Sequence, residues 1–453
     1  MRGRHSPKAF SFAICFAAIA ALVVASQPAL AQFTQQGGKL VGTGGDASSQ
    51  QGGSVAVSAD GNTAIVGGPG NFLTGGGAAW VYTRIGGVWT QQGAKLVGTG
   101  AVGSANQGYS VAVSADGNTA IVGGPGDNGS AGAAWVYTRS GGVWTQQGSK
   151  LVGTGAVGTA FLGNSVALSA DGNTAIVGGD QDNNGYIGAA WVFTRSGGVW
   201  TQQGSKLVGS GAVGGVTEGW PIMQGYSVAL SADGNTAAMG GFGDNYCLGA
   251  TWVFTRSGGV WTQQGAKLVG TGAPECAQQG QSVKLSSDGN TAIVGGPTDN
   301  SYAGAMWVFT RSGGVWTQQG SKLVGTGAVG SDIEQGMSVA LSGDGNTAIV
   351  GGFSDNNGIG AMWVFTRSGG VWTQQGSKLV GTGAVGIACQ GGSVAVAADG
   401  NTAIVGGACD NGSAGAAWVF VPALTVVDLA ATHDFNGDSK SDILWRDTGG
   451  NVG

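Results

Sequence analysis

The sequence predicts an all-β fold, a seven-bladed β-propeller of four-stranded antiparallel blades, and three observations carry that expectation. The triplet Asp-Gly-Asn returns seven times, starting at Asp60, Asp116, Asp171, Asp233, Asp288, Asp344 and Asp399, with spacings of 55, 56 and once 62 residues. A period of this size suggests propeller blades. Of the 453 residues 94 are Gly, without a Gly-X-Y period, while 15 Trp and an apolar fraction of 42% provide a core. That pairing argues against disorder and for short strands joined by tight turns. Finally, the array opens on an isolated last strand and ends on a unit that lacks one.

Each unit holds four strand-like runs, which in the third unit read "SVALS", "TAIVGG", "GAAWVFTR" and "VWTQQGSKLVG". Asp-Gly-Asn joins the first two and Ser-Gly-Gly the last two, both suited to tight hairpins. The opening run "FTQQGGKLVG" (33–42) is a fourth strand with no first three before it, and the last unit stops after "GAAWVFVP". The opening strand is therefore expected to complete the last blade and close the ring, leaving no free sheet edge at the seam.

The regular aromatic and charged positions follow from the same frame. Trp80, Trp135, Trp191, Trp252, Trp307, Trp363 and Trp418 fall on strand three. Trp89, Trp144, Trp200, Trp261, Trp316 and Trp372 fall on strand four, with Phe33 in the seventh place. Large aromatics repeating on strands read as core between blades rather than as a sugar-stacking ring. Arg84, Arg139, Arg195, Arg256, Arg311 and Arg367 end strand three beside the Asp-Gly-Asn turns, where Arg-to-Asp contacts are expected; Lys39, Lys95, Lys150, Lys206, Lys267, Lys322 and Lys378 share one place on strand four.

The N-terminus reads as a separate segment. Arg2, Arg4 and Lys8 precede an apolar run over residues 9–25, and an Ala-x-Ala site ends at Ala31, the pattern of a secretory signal peptide; a retained membrane anchor is the alternative. With residues 1–31 removed, 16 Lys and Arg face 24 Asp and Glu, a net charge of −8. The expectation is a protein that is secreted or held at the cell surface, with no membrane span after cleavage. Its acidic surface disfavours nucleic acid as a partner.

The recurring run "GxSVALSxDGNTAIVGG…DN…GAAWVFTRSGG" resembles the FG-GAP repeat of bacterial secreted proteins and of the integrin α-chain propeller, over residues 32–421. The resemblance implies a propeller used in adhesion or recognition; kelch repeats are the second family and imply nearly the same fold. Integrin-type blades often hold calcium in an Asp-rich loop between strands one and two, but here the link is only "SADGNT", so calcium is not expected in the blades. Residues 422–453 read as a linker and a truncated repeat of the calcium-loop type. In "HDFNGDSKSDILWRDTGG", Asp434, Asn436, Asp438 and Asp442, with the Lys440 carbonyl, have the alternating spacing that converges hard oxygens on one calcium ion. A solvated acidic linker is the bland reading of the same residues.

Variation gathers in the loops after strands two and four, which strand alternation places on one face. Binding usually resides in such loops on a rigid scaffold. The candidate ligand residues there are Tyr186, Glu218, Trp220, Tyr246 and Tyr302, and the expected partner is an extracellular glycan or protein. The Asp-Asn pairs at Asp127, Asp182, Asp244, Asp299, Asp355 and Asp410 are expected to form local Asx turns. The only His beyond the leader is His433, so a Ser-His-Asp or Cys-His site on the propeller is excluded. A carboxylate-based carbohydrate enzyme and a structural spacer in a larger surface protein are the alternatives to a binding module.

Four Cys follow the leader: Cys247, Cys276, Cys389 and Cys409. An exported chain favours disulfides, and Cys247–Cys276 with Cys389–Cys409 is the one of three connectivities that joins nearby loops. A zinc site is the rival reading, for which the spacing fits badly.

Overall fold

The fold is known from a computed structural model, which describes residues 32–70, 75–214, 221–274 and 276–423. The expected leader and the acidic tail, with Asp434, Asn436, Asp438, Lys440 and Asp442, lie outside these residues.

Seven four-stranded antiparallel sheets stand around a central axis. In the third blade the strands are Ser165–Leu168, Thr174–Gly179, Ala189–Ser196 and Val199–Gln202, numbered one to four from the axis outward. Strand two is buried along its whole length in nearly every blade, while strand four is half exposed. The seventh sheet contains Phe33–Gln35 paired antiparallel with Ala416–Pro422, in the register Phe33 to Pro422 and Gln35 to Phe420. The N-terminal strand thus closes the ring.

The repeated "SxDGNT" has a physical reason at each letter. Ser114 Oγ donates to Asp116 Oδ1 at 2.5 Å and accepts the Thr119 N–H at 2.9 Å. The Asn118 N–H also bonds Asp116 Oδ1, and Gly117 takes φ +68° between them, where Gly is the least strained residue. Burial alone would raise the Asp116 carboxyl, but the bonds from Ser114 and Asn118 outweigh it and hold the group below its ordinary value. Arg139 does not pair with that carboxylate as expected. Its Nε donates to Asn118 Oδ1 at 2.9 Å, its other nitrogens reach Gln92 and Thr63 of the preceding blade, and it lies over the Trp144 ring. Asp116 is already engaged by Ser114 and Asn118, which leaves the Asn carbonyl as the acceptor in reach.

Neighbouring blades meet through two closed rings of hydrogen bonds. Near the loop face each strand-one Ser donates across the gap: Ser54 Oγ to the Gly108 carbonyl at 2.9 Å, Ser110 to Gly163, and so on to Ser393, which returns to Gly52. At the hairpin face backbone N–H groups do the same, from Ala59 to Ala115, through Ala170, Ala232, Ser287, Gly343 and Ala398, back to Ala59. The approach leaves no room for a side chain; a Cβ on Gly123 would stand 2.1 Å from the Gly163 carbonyl oxygen.

The Trp series divide, correcting the expectation that both fill the core. Trp on strand three is fully buried in every blade. Trp135 Nε1 donates to the Thr99 carbonyl at 2.8 Å, and Gly98 lies flat on its ring, where a Cβ would stand 2.1 Å from Cδ1. Trp on strand four is only half buried against the core edge; Trp144 donates to Gln92 of the preceding blade under the Arg139 guanidinium. Strand four is the outermost strand, so one face of its Trp meets water.

Deleting residues 33–42 should open the last blade, strip Gly42 from the face of the Trp80 ring and remove Lys39 from the buried Asp410. Loss of Lys39 alone strands a buried charge, a cost of ~3–5 kcal/mol. The expected outcome is a clearly lower melting temperature or aggregation; an unchanged melting curve would show that the strand does not close the ring.

Candidate functional site

The loops after strands two and four meet on one face, and a buried Asp organises six of the seven junctions. Asp127 Oδ2 accepts Lys150 Nζ at 2.5 Å, while its Oδ1 accepts the Val102 N–H at 2.7 Å from the loop that enters the blade. Asp182, Asp244, Asp299, Asp355 and Asp410 pair with Lys206, Lys267, Lys322, Lys378 and Lys39, and all of them except Asp299, whose Oδ1 finds no partner, also accept an N–H from the entering loop. These Asp side chains are about 1% exposed or less, against some 20% for their Lys. The expected Asx turns are therefore replaced by buried ion pairs, which tie three segments together. A carboxylate at this depth needs a full positive partner, which a local turn lacks.

Past the Asp the chain turns through left-handed backbone. Asn245, Asn300, Asn356 and Asn411 have φ near +50°, which Asn tolerates. The next positions hold the candidate tyrosines: Tyr186 at φ +49°, Tyr246 at +56° and Tyr302 at +66°, on three consecutive blades. Their side chains are 39%, 54% and 49% exposed. Each turn is held by its neighbour, since the Tyr186 carbonyl accepts from Met223 N–H and the Tyr302 carbonyl from Glu334 N–H. Glu218 and Trp220 lie outside the described residues.

Disulfides join Cys247 to Cys276 and Cys389 to Cys409, with Cα atoms 4.7 and 5.5 Å apart. The first fixes the residue after Tyr246 to the loop entering the fifth blade. Beside it a groove of about 390 Å³ is lined by Pro274, Cys276, Thr298, Asn300, Ser301 and Tyr302. Two of the three exposed tyrosines thus flank one covalent bridge.

Toward the axis the residue before each strand-one Ser rims a central channel. Gly53 and Gly392 leave it bare, whereas Tyr109, Asn164, Tyr226, Gln281 and Met337 crowd the other side. Asn164 Nδ2 donates to the Tyr226 carbonyl and Gln281 Nε2 to the Tyr226 hydroxyl, each at 3.1 Å; the Tyr226 ring meets Phe242 edge-on. Burial pushes the Tyr226 phenol above its ordinary range, and the nearby Tyr109 and Asp180 add to the effect. Asp180 is 3% exposed, its Oδ1 finds no partner, and burial pushes its carboxyl up to about 7. No motif marks these positions. The available signal is their departure from an otherwise uniform repeat.

A buried acid with a raised pKa binds its proton more tightly folded than unfolded, so it weakens the fold as pH rises from about 4 toward 7 and beyond. Asp180→Asn is expected to raise the melting temperature at pH 8 by on the order of 2 °C and to change it little at pH 4. Equal effects at both pH values would place that carboxyl in water.

Reduction of the Cys247–Cys276 bridge, which spans 29 residues, should cost about 3 kcal/mol on the chain-entropy model. Peptide mapping without reductant, with melting curves of Cys247→Ser and the double Ser variant, checks both pairing and magnitude.

No protein-family model matches the chain, and no curated protein matches it.

Proposed function

We propose that this chain is a secreted, non-catalytic recognition propeller of FG-GAP type that binds an extracellular glycan on its loop face. One observation carries the reading: Tyr186, Tyr246 and Tyr302 are exposed on consecutive blades in left-handed backbone. For a bulky residue that conformation costs ~1–2 kcal/mol, and Gly would relieve it. Strain retained at exposed aromatics points to use, because such costs persist where function needs the geometry. Flat tyrosine faces held by buried ion pairs and a disulfide suit stacking on sugar rings with little ordering cost. The lack of any His in the described residues supports binding over acyl-transfer chemistry. The FG-GAP resemblance brings calcium with it, held by Asp434, Asn436, Asp438, Lys440 and Asp442 in the tail; calcium titration of the full chain against Asp434→Ala tests that assignment.

Tyr246→Gly and Tyr302→Gly separate binding from folding. Each should stabilise the fold by about 1 kcal/mol, while weakening a glycan found by array screening at least about tenfold, equivalent to 1.4 kcal/mol. Binding that survives both substitutions would refute the tyrosine face. Capture of a protein with no glycan bound would replace the ligand class.

A further inference from the structure

The axial channel is lined by the first strands of all seven blades, between the ring of Ser hydroxyls and the ring of hairpin backbones. Its inner cavity is about 230 Å³, walled by Val, Ala and Leu. Six blades place Ala at the third position of strand one: Ala56, Ala112, Ala167, Ala229, Ala340 and Ala395. The fifth blade places Lys284 there. It is the one charged side chain among the described residues lining the channel. It makes no hydrogen bond or ion pair, in contrast to the six Lys that pair with buried Asp. Its side chain is exposed into the channel, and the protein around the channel lowers its ammonium pKa.

This ammonium opens into an apolar-walled channel with no acid beside it, and its favourable complement is a single negative charge. Gln281 lines the adjoining cavity together with Lys284 and Tyr226. Its amide nitrogen is used by Tyr226, while its Oε1 is buried and accepts nothing. Three residues of strand separate it from Lys284, a rise of ~10 Å. The channel therefore offers a cation at depth and a free hydrogen-bond acceptor nearer the mouth.

We propose that the axial channel is a binding site for a hydroxylated monocarboxylate of sugar-acid type, its carboxylate on Lys284 and a hydroxyl donated to Gln281 Oε1. One cation without a second Lys, an Arg or a nest of free N–H groups favours a single negative charge over a phosphate, whose further charge would lie unmatched against Val and Ala. The same chemistry is presented by a free sugar acid and by the terminal uronate of a glycan. The site is separate from the tyrosine-bearing loops and does not rest on the function proposed for them.

Calorimetric titration of the full chain with glucuronate, and with glucose as its neutral counterpart, tests the proposal. Glucuronate is expected to bind at one site per chain and glucose at least tenfold more weakly. Lys284→Ala restores the residue of the other six blades, so it should fold with an equal or higher melting temperature and lose glucuronate at least tenfold. Lys284→Met, which keeps the length of the stem, should lose it equally, and Gln281→Leu should weaken glucuronate while sparing acetate. Tyr246→Gly should leave glucuronate binding unchanged. A tetrauronide that binds as tightly as the monosaccharide assigns the site to a glycan end, and one that fails to bind assigns it to the free acid. Glucose binding equal to glucuronate, full affinity in Lys284→Ala, or loss in Tyr246→Gly would each overturn the proposal.

Discussion

The fold depends on a contact that contains almost no side chain. At each blade boundary a Ser hydroxyl reaches the carbonyl of a Gly in the next blade, and the Gly opposite leaves no Cβ between them. Seven such contacts must add up to a full turn, so an error at one boundary is passed to all the others. This explains why the inner parts of the repeat are nearly uniform. Once the angle between blades is set by backbone on backbone, any larger residue at Gly123 or its equivalents would force the ring apart.

Uniformity at the axis moves variation outward and upward. In six blades a buried Asp at the loop junction holds Lys from strand four, and in five of them it also holds an N–H from the entering loop. Such a pair is weak as a source of net stability, because two charges are desolvated to form it. Its value is in position: it fixes where the chain turns left-handed, and hence where Tyr246 and Tyr302 emerge. The residues after the Asp are then free to change without moving the frame.

Much of the architecture was legible because repetition multiplies weak signals. One Asp-Gly-Asn is a common turn, but seven at a near-constant spacing define blades, and the unmatched strands at the two ends define the closure. The roles of charged side chains were harder to read. Asp127 and Lys150 are 23 residues apart in sequence, and nothing local distinguishes an Asp that caps a turn from one that meets a Lys across a blade. Arg139 was placed beside the correct turn yet bonds Asn118 rather than Asp116, a choice decided by which oxygens Ser114 had already engaged. The channel mouth was hidden for a related reason. Asn164, Tyr226 and Gln281 come from three consecutive blades and become neighbours only when those blades pack side by side.

Ring closure also sets an order of events along the chain. Thr34 has its partner at Val421, 387 residues later, so the first strand made must wait for nearly the last. Contacts of such separation are slow to form because a long loop must be closed before they yield any stabilisation. During that interval the final blade has an open edge, the kind of surface that pairs with other chains. A cell producing this protein would need to keep concentration low, or the unfinished ring shielded, until its two ends meet.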